Sequence, residues 1–217
     1  MIYELRTYTS KKNFEKEESA DYIAWETDRK DCASPCGKLL NYLSDKKTVR
    51  IPDGIETIGK GAFFRGDFDC FDLPVETLII PASVKTIEEG AFDFTEINRI
   101  KIDPASPCGL IRNHVLYSGD GKTLLWILDD KAYTLEDSKK EEGEAVWVLV
   151  VPDGVERIGS DFFGVAENIE VLQLPASVKE IGELSDYGWE AYPKIRAPKG
   201  SEAIRLAKKR GIEYEEI

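Results

Sequence analysis

The feature that most constrains the fold of this chain is a sequence repeat with a basic period of 23 residues. The segment 52–59, PDGIETIG, recurs almost unchanged as 152–159, PDGVERIG, and the segment 81–87, PASVKTI, recurs as 175–181, PASVKEI. Successive units are marked by prolines spaced 29, 23, 48, 23 and 23 residues apart: Pro52, Pro81, Pro104, Pro152, Pro175 and Pro198. Self-similarity at a period of about 20 to 50 residues is typical of solenoids, propellers and arrays.

A larger duplication surrounds these units. The segment 37–45, GKLLNYLSD, precedes the first set of three units, and 121–129, GKTLLWILD, precedes the second set. The predicted order is therefore hairpin, three units, hairpin, three units. We predict an N-terminal cap at 1–36 and an array at 37–217, the array comprising a hairpin at 37–48, units from 49, 78 and 99, a hairpin with an acidic loop at 115–147, units from 148, 171 and 194, and a cap at 201–217.

Each unit contains a short strand whose first and third residues are mostly apolar. The strand triplets are Val49-Arg50-Ile51, Leu78-Ile79-Ile80, Ile100-Lys101-Ile102, Leu149-Val150-Val151, Leu172-Gln173-Leu174 and Ile195-Arg196-Ala197. Because alternate residues of a strand share a face, the outer two residues of each triplet are predicted to point into the core and the middle one outward. The proline that follows ends the strand. A second apolar pair, such as Ile55 and Ile58, and then a phenylalanine, such as Phe63, complete the unit. Since no unit can bury its apolar face alone, the units are expected to stack.

The two ends of the chain are predicted to close the array. At the C-terminus, Ser201 is the expected N-cap of a short helix, 202–210, and Gly211 is its expected stop. We expect Ala203, Leu206 and Ala207 to face the core, and 212–215 to form an edge strand. At the N-terminus, 2–8 has a strand pattern and 11–20 is a charged segment with a helical composition.

Charge and hydropathy exclude several classes of protein. The formal net charge is −12, with 41 acidic against 29 basic residues, so a general nucleic-acid binder is not expected. No stretch approaches the roughly 18 consecutive apolar residues of a membrane span, so membrane insertion is not expected either. Residues 1–7 lack the pattern of a secretory signal. A cytoplasmic location is expected if Met1 is the native start, and a secreted or cell-surface location is the alternative if the chain has been trimmed.

The acidic segment 129–146 holds seven acids and three bases. We interpret it as a solvated loop between two ordered segments. The alternative is an acidic contact surface for a basic partner.

The residues that usually carry chemistry are sparse. The four cysteines, Cys32, Cys36, Cys70 and Cys108, are expected to be free thiols, with a Cys32–Cys36 or Cys36–Cys108 disulfide as the alternative in an exported protein. His114 is the only histidine, so neither a zinc site nor a Ser-His-Asp or Cys-His pair is predicted. Asp67, Asp69 and Asp72 lack the glycine and distal glutamate of a calcium loop. No catalytic residue, metal ligand or cofactor is therefore predicted.

The repeat unit resembles a known family. The segment 78–92, LIIPASVKTIEEGAF, is similar to the BspA-type leucine-rich repeat, 103–124 is similar to the hairpin that interrupts such arrays, and 201–217 is similar to their closing cap. The resemblance covers about residues 37–217. It implies a right-handed leucine-rich-repeat solenoid with a parallel β-sheet on the concave side and short turns or 3-10 segments on the convex side. It also implies a surface or secreted protein that binds other proteins.

The outward middle residues of the strands form the candidate binding surface. They are Arg50, Ile79, Lys101, Val150, Gln173 and Arg196, with Arg99 and Lys194 beside them. Several of these residues are basic although the chain is acidic, so the expected partner is an acidic or mixed segment of another protein. The leading hypothesis is a non-enzymatic protein-binding module. The alternatives are a structural or assembly spacer and an enzyme with an unmarked carboxylate site.

Overall fold

The computed structural model describes residues 2–8, 21–27, 35–44, 46–64, 75–92, 95, 97–128, 130–137, 145–160, 162, 169–183 and 192–217. These residues belong to two compact units, Met1–Gly109 (the first unit) and Leu110–Ile217 (the second unit). The helical prediction for 11–20 and the aspartates at 67–72 lie outside the described residues.

The first unit is built from short strands in two sheets. Their bounds are β1 Ile2–Tyr8, β2 Asp21–Thr27, β3 Gly37–Leu43, β4 Thr48–Arg50, β5 Ile55–Ile58, β6 Thr77–Ile80, β7 Thr86–Ile87 and β8 Ile100–Ile102. One sheet has the order β1-β2-β3-β5-β7 and the other β4-β6-β8. Strands β1 to β3 pair antiparallel, whereas β3-β5-β7 and β4-β6-β8 pair in parallel. Within the described residues, the first two repeats thus each add one strand to each sheet, and the third adds β8. The segment 1–36 adds β1 and β2, of which β2 pairs with β3 in the segment predicted as a hairpin and β1 pairs with β2.

The second unit repeats this plan. Its elements are β9 Gly109–Arg112 (which begins on the last residue of the first unit), β10 Val115–Ser118, β11 Thr123–Ile127, β12 Thr134–Asp137, β13 Ala145–Val150, β14 Arg157–Ile158, β15 Val171–Gln173, β16 Glu180–Ile181, β17 Lys194–Ala197, α1 Glu202–Arg210 and β18 Tyr214–Glu216. One sheet has the order β16-β14-β11-β10-β9 and the other β12-β13-β15-β17-β18. Parallel pairing joins β11-β14-β16 and β13-β15-β17-β18. The duplication read from the sequence therefore appears as two similar pairs of sheets.

The predicted alternation of the strand triplets is confirmed by burial. The first and third residues of each triplet are buried, with Ile102 half-buried, and each middle residue is half-buried or exposed. In the second unit these apolar residues join one core cluster with Phe162 and the helix residues Ala203, Ile204 and Ala207.

A row of aromatic rings runs through the first unit. The ring centroids of Tyr42 and Phe63 lie 6.2 Å apart, and those of Phe63 and Phe92 lie 5.9 Å apart. All three side chains are buried. Because they come from β3 and from the ends of two successive repeats, the rings connect neighbouring repeats behind the strands.

The acidic segment 129–146 is not a loop throughout, which corrects that prediction. Residues Asp130–Ala132 form a 3-10 helix, and β12 pairs antiparallel with β13. Thr134 and Leu135 favour a strand and lie opposite Val148 and Trp147, so the start of the acidic segment forms one arm of a second hairpin. Residues 138–144 lie outside the described part of the chain.

The C-terminal cap forms as predicted, with two corrections. Helix α1 is followed by Gly211 at φ +70°, whose N–H donates to the carbonyls of Ala207 and Lys208. Ile204 is buried. Leu206, which was expected to face the core, is half-buried and packs against the edge of the core cluster. Ser201 occupies the N-cap position, but its Oγ is buried and makes no hydrogen bond within the described residues.

The cysteine prediction is partly wrong. Cys36 is disulfide-bonded, whereas Cys108 is a free, buried thiol. The prediction that all four cysteines are free thiols is therefore wrong, and so is the alternative of a Cys36–Cys108 bond. Cys32 and Cys70 lie outside the described residues. Burial raises the pKa of the Cys108 thiol, which disfavours the reactive thiolate.

His114 lies in the two-residue turn between β9 and β10, where it is exposed. Asn113 and His114 have φ of +48° and +63°, the left-handed pair required by a type I′ turn. Replacing His114 by Gly is expected to raise the free energy of unfolding by about 0.5 to 1 kcal/mol, because glycine adopts this conformation without a steric cost. Urea denaturation checks the change, and Asn113→Val is the matched control with the opposite expected sign. A lower stability for His114→Gly would contradict the turn assignment.

Candidate functional site

The outward residues of β4, β6 and β8, together with Arg99 just before β8, form a surface that we call the first face. Its members are Thr48, Arg50, Thr77, Ile79, Arg99 and Lys101. Arg50 lies directly opposite Ile79, and Ile79 lies opposite Lys101. The parallel register thus brings four of the predicted site residues together, although they come from three repeats.

The basic residues of the first face are exposed. Arg50, Arg99 and Lys101 form no ion pair with any other part of the chain that the structure describes. Lys47, just before β4, forms an ion pair with Glu76, so the nearest carboxylate on this edge already has a partner. Asp103, just after β8, accepts a hydrogen bond from the N–H of Ala105 at 2.9 Å. The first face is therefore a positively charged surface with the half-buried Ile79 at its centre.

The corresponding residues of β13, β15 and β17 form the second face. Its accessible members are Val150, Gln173, Lys194 and Arg196, whereas Val148 and Val171, which lie on the same side of their strands, are buried. Val150 lies opposite Gln173, and Gln173 lies opposite Arg196. The other four predicted site residues are thus also gathered on one surface.

The cations of the second face have partners within the chain. Arg196 Nε donates to Glu215 Oε2 at 3.2 Å, and its Nη1 donates to Gln173 Oε1 at 3.3 Å. Lys194 Nζ lies 2.7 Å from Glu213 Oε1. The side chains of Lys194 and Arg196 are only 22% and 14% exposed. Their charges are neutralised by carboxylates of the segment 213–216, which we call the closing strand. The two predicted faces therefore differ in electrostatic character.

Glu213 and Glu215 are the residues that sequence reasoning missed at this site. Part of their signal was present, because an edge strand at 212–215 was expected, but the strand with which it pairs was not predicted. Parallel pairing of two such strands places alternate carboxylates beside alternate cations.

Ion pairs between successive repeats are also found on the other sheet of each unit. Glu56 pairs with Lys85 at 2.8 Å in the first unit. In the second unit, Glu156 pairs with both Lys122 and Lys179 at 3.0 Å, and the hydrogen bonds from these ammonium groups lower the pKa of its carboxyl group. Each pair is exposed and contributes little to stability on its own. Several repeat cations outside the first face therefore have carboxylate partners.

Within the described part of the chain, the side chains that could bind a metal ion are not gathered into a site. No group of three or more His, Cys, Asp or Glu side chains suited to a metal ion is found among the described residues. The pKa of Asp120 is lowered by hydrogen bonds from the Ser118 hydroxyl and the Lys122 N–H, which fix the turn between β10 and β11. Within the described ranges, no helix has the length and apolar character needed to span a membrane.

Comparison with protein families gives a match over more than half of the chain. The model described as "BspA type Leucine rich repeat region" matches six copies over residues 41–118 and 143–205. The copies coincide with the two sets of repeats. No curated protein matches the sequence.

Several solved structures resemble the chain. The pneumococcal vaccine antigen PcpA is 18% identical, with a TM-score of 0.41 over 62% of this chain and 35% of its own. A leucine-rich cell surface protein from Faecalibacterium prausnitzii is 24% identical, with a TM-score of 0.37 over 62% of this chain and 37% of its own. A leucine-rich repeat protein from Eubacterium ventriosum is 14% identical, with a TM-score of 0.40 over 76% of this chain and 60% of its own. This chain thus spans only about a third of the first two.

Proposed function

This chain belongs to the BspA-type leucine-rich repeat family, and from that premise we propose that it is a non-enzymatic module that binds another protein. The contact surface in this proposal is the outward side of the parallel strands, comprising the first and second faces. We also propose that β4, β6 and β8 in the first unit, and β13, β15 and β17 in the second, lie on the concave side of a right-handed solenoid. Repeat proteins of this kind commonly use such a surface for protein interaction.

The observation that carries the proposal is the register of the outward residues. Within each unit, side chains from three successive repeats lie at directly paired positions, as in the row Arg50, Ile79 and Lys101. Neighbouring strands are about 4.8 Å apart, so each row presents side chains at regular intervals across a sheet. Such a surface can follow an extended segment of a partner.

A location outside the cytoplasm is part of the same proposal. Proteins of this family are typically surface-associated or secreted. The disulfide bond of Cys36 supports this location, because disulfides form and persist in oxidising compartments.

Site-specific photo-crosslinking tests the proposed contact surface. A benzophenone amino acid is placed at Ile79 on the first face or at Gln173 on the second. The purified chain is then irradiated together with an extract of the organism that produces it. We expect at least one of these positions to crosslink the same protein of the extract in repeated experiments. After purification, that protein is expected to bind the unmodified chain.

Two exposed positions away from the faces, Lys60 and Lys209, serve as controls. They are expected to crosslink the partner at least about tenfold less. Equal yields from all four positions, or no partner from either face, would contradict the proposal and favour the spacer hypothesis.

A further inference from the structure

We propose that the first face is a docking site for an acidic, extended segment of the partner protein, with Arg50, Arg99 and Lys101 as its anchors. This inference rests on the proposed function, and it adds the location and the chemistry of the contact. The second face does not take part in the same way, because its cations already have carboxylate partners.

The unpaired state of the three anchors is the first observation. The chain has 41 acidic residues for 29 basic ones, so carboxylates are abundant. Many described cations take one, as in the ion pairs Lys38–Glu88, Lys47–Glu76, Lys85–Glu56, Lys122–Glu156, Lys179–Glu156, Arg157–Glu180, Lys194–Glu213, Arg196–Glu215, Arg205–Glu202 and Lys208–Glu216. Among the described residues, the cations of the first face have none. An external carboxylate therefore gains attraction there without displacing one from within the chain.

The closing strand supplies the second observation, because it shows which chemistry such a face accepts. The segment 213–216 is extended, and β18 pairs in parallel with β17. Its alternate carboxylates, Glu213 and Glu215, pair with Lys194 and Arg196. An acidic extended segment is thus already bound beside the corresponding cations of the second unit. The first face offers the same type of cation at the corresponding strand positions.

The spacing of the anchors defines the sequence pattern of the segment. Arg50 and Lys101 lie on either side of Ile79, two strand spacings or about 10 Å apart. In an extended peptide of the polyproline II type, which has three residues per turn and a rise of about 3.1 Å per residue, residues three positions apart lie on the same side and are separated by about 9 Å. Carboxylates at positions i and i+3 therefore match Arg50 and Lys101, and an apolar side chain between them contacts Ile79. Arg99 lies about 7 Å from Lys101 along its strand and can bind a further carboxylate.

The negative charge of the whole chain does not prevent this contact at physiological ionic strength. Charges separated by more than about 8 Å in solvent are largely screened there, so the three nearby cations dominate the local field. The same screening predicts that binding weakens as salt is added.

Titration with a synthetic peptide tests the inference. The probe is a fluorescein-labelled dodecapeptide, (Glu-Leu-Thr)4, and its uncharged counterpart is (Gln-Leu-Thr)4. Fluorescence anisotropy with the full chain is expected to show binding of the glutamate peptide, and at least tenfold weaker binding of the glutamine peptide. The triple variant Arg50→Glu/Arg99→Glu/Lys101→Glu is expected to bind the glutamate peptide at least about tenfold more weakly than the unmodified chain.

A second triple variant, Lys60→Glu/Arg112→Glu/Lys199→Glu, has the same change in net charge at exposed positions that are not members of the first face. It is expected to keep its affinity within about twofold. The neutral variant Arg50→Gln/Arg99→Gln/Lys101→Gln is expected to fall between the unmodified chain and the charge reversal. Circular dichroism and urea denaturation confirm that each variant is folded before its affinity is compared.

Three results would overturn the inference: no binding of the glutamate peptide, equal losses in the two triple variants, or equal binding of a twelve-nucleotide oligothymidylate through the same residues. The last result would identify a general polyanion surface. Failure here is distinguishable from failure of the proposed function. A partner crosslinked from Ile79 without any affinity for the acidic peptide would leave the protein-binding function intact and remove only the acidic chemistry.

Discussion

Replacing Phe63 by Ala is expected to lower the free energy of unfolding of the first unit by about 3 to 5 kcal/mol. Phe63 is 4% exposed, and its ring lies between those of Tyr42 and Phe92 in the aromatic row. Its removal deletes the apolar contacts on both sides and leaves a cavity between two repeats. Urea denaturation, followed by circular dichroism, measures the change.

Phe64 provides the control for this experiment within the same turn. Its side chain is 42% exposed, and the contact it makes with Asn41 uses its backbone carbonyl, which remains in Phe64→Ala. That variant is expected to lose less than about 1 kcal/mol. Similar losses from the two substitutions would show that the aromatic row does not connect the repeats.

Replacing Gly182 by Ala is expected to lower the free energy of unfolding of the second unit by about 3 kcal/mol. An added Cβ would lie 2.5 Å from the nitrogen of Ser160 and 2.8 Å from the carbonyl carbon of Gly159. Both are backbone atoms, so two adjacent repeats have to move apart. The movement also weakens the hydrogen bond from the Gly182 N–H to the carbonyl of Ile158, now 2.7 Å long.

The equivalent glycine of the preceding repeat, Gly159, is the matched control. A Cβ there would meet the Leu124 carbonyl oxygen at 3.0 Å, and its next contact would be at 3.9 Å. Gly159→Ala is therefore expected to cost about 1 kcal/mol. Urea denaturation followed by circular dichroism compares the two variants. A loss for Gly159→Ala as large as that for Gly182→Ala would contradict the close approach of the two repeats.

The strands of the repeats and the closing helix were predictable because local pattern determines them. The alternation in Leu172-Gln173-Leu174 specifies which face is buried, and the proline that follows marks the end of the strand. Gly211 marks the end of the helix in the same way, since the left-handed conformation favours glycine. The outward positions of all eight candidate residues followed from this alternation.

Pairings between distant segments were less accessible to sequence reasoning. The antiparallel addition of β1 and β2 to β3 and the hairpin formed by β12 and β13 depend on contacts that no local period encodes. The partners of Lys194 and Arg196 were missed for the same reason. Their charges were visible in the sequence, but their neutralisation depends on which strand lies beside β17.

The ion pairs of the last repeat also determine where such an array can grow. Strand β15 carries the buried Val171 and the half-buried Gln173 opposite Lys194 and Arg196, so its position requires no neighbouring carboxylates. A unit inserted ahead of β17 would leave the contacts of Lys194 and Arg196 with Glu213 and Glu215 undisturbed. A unit added after β17 would separate these charges and leave two largely covered cations without partners. The last repeat and its cap are therefore expected to be inherited together as one cassette, with changes in repeat number confined to the positions before it.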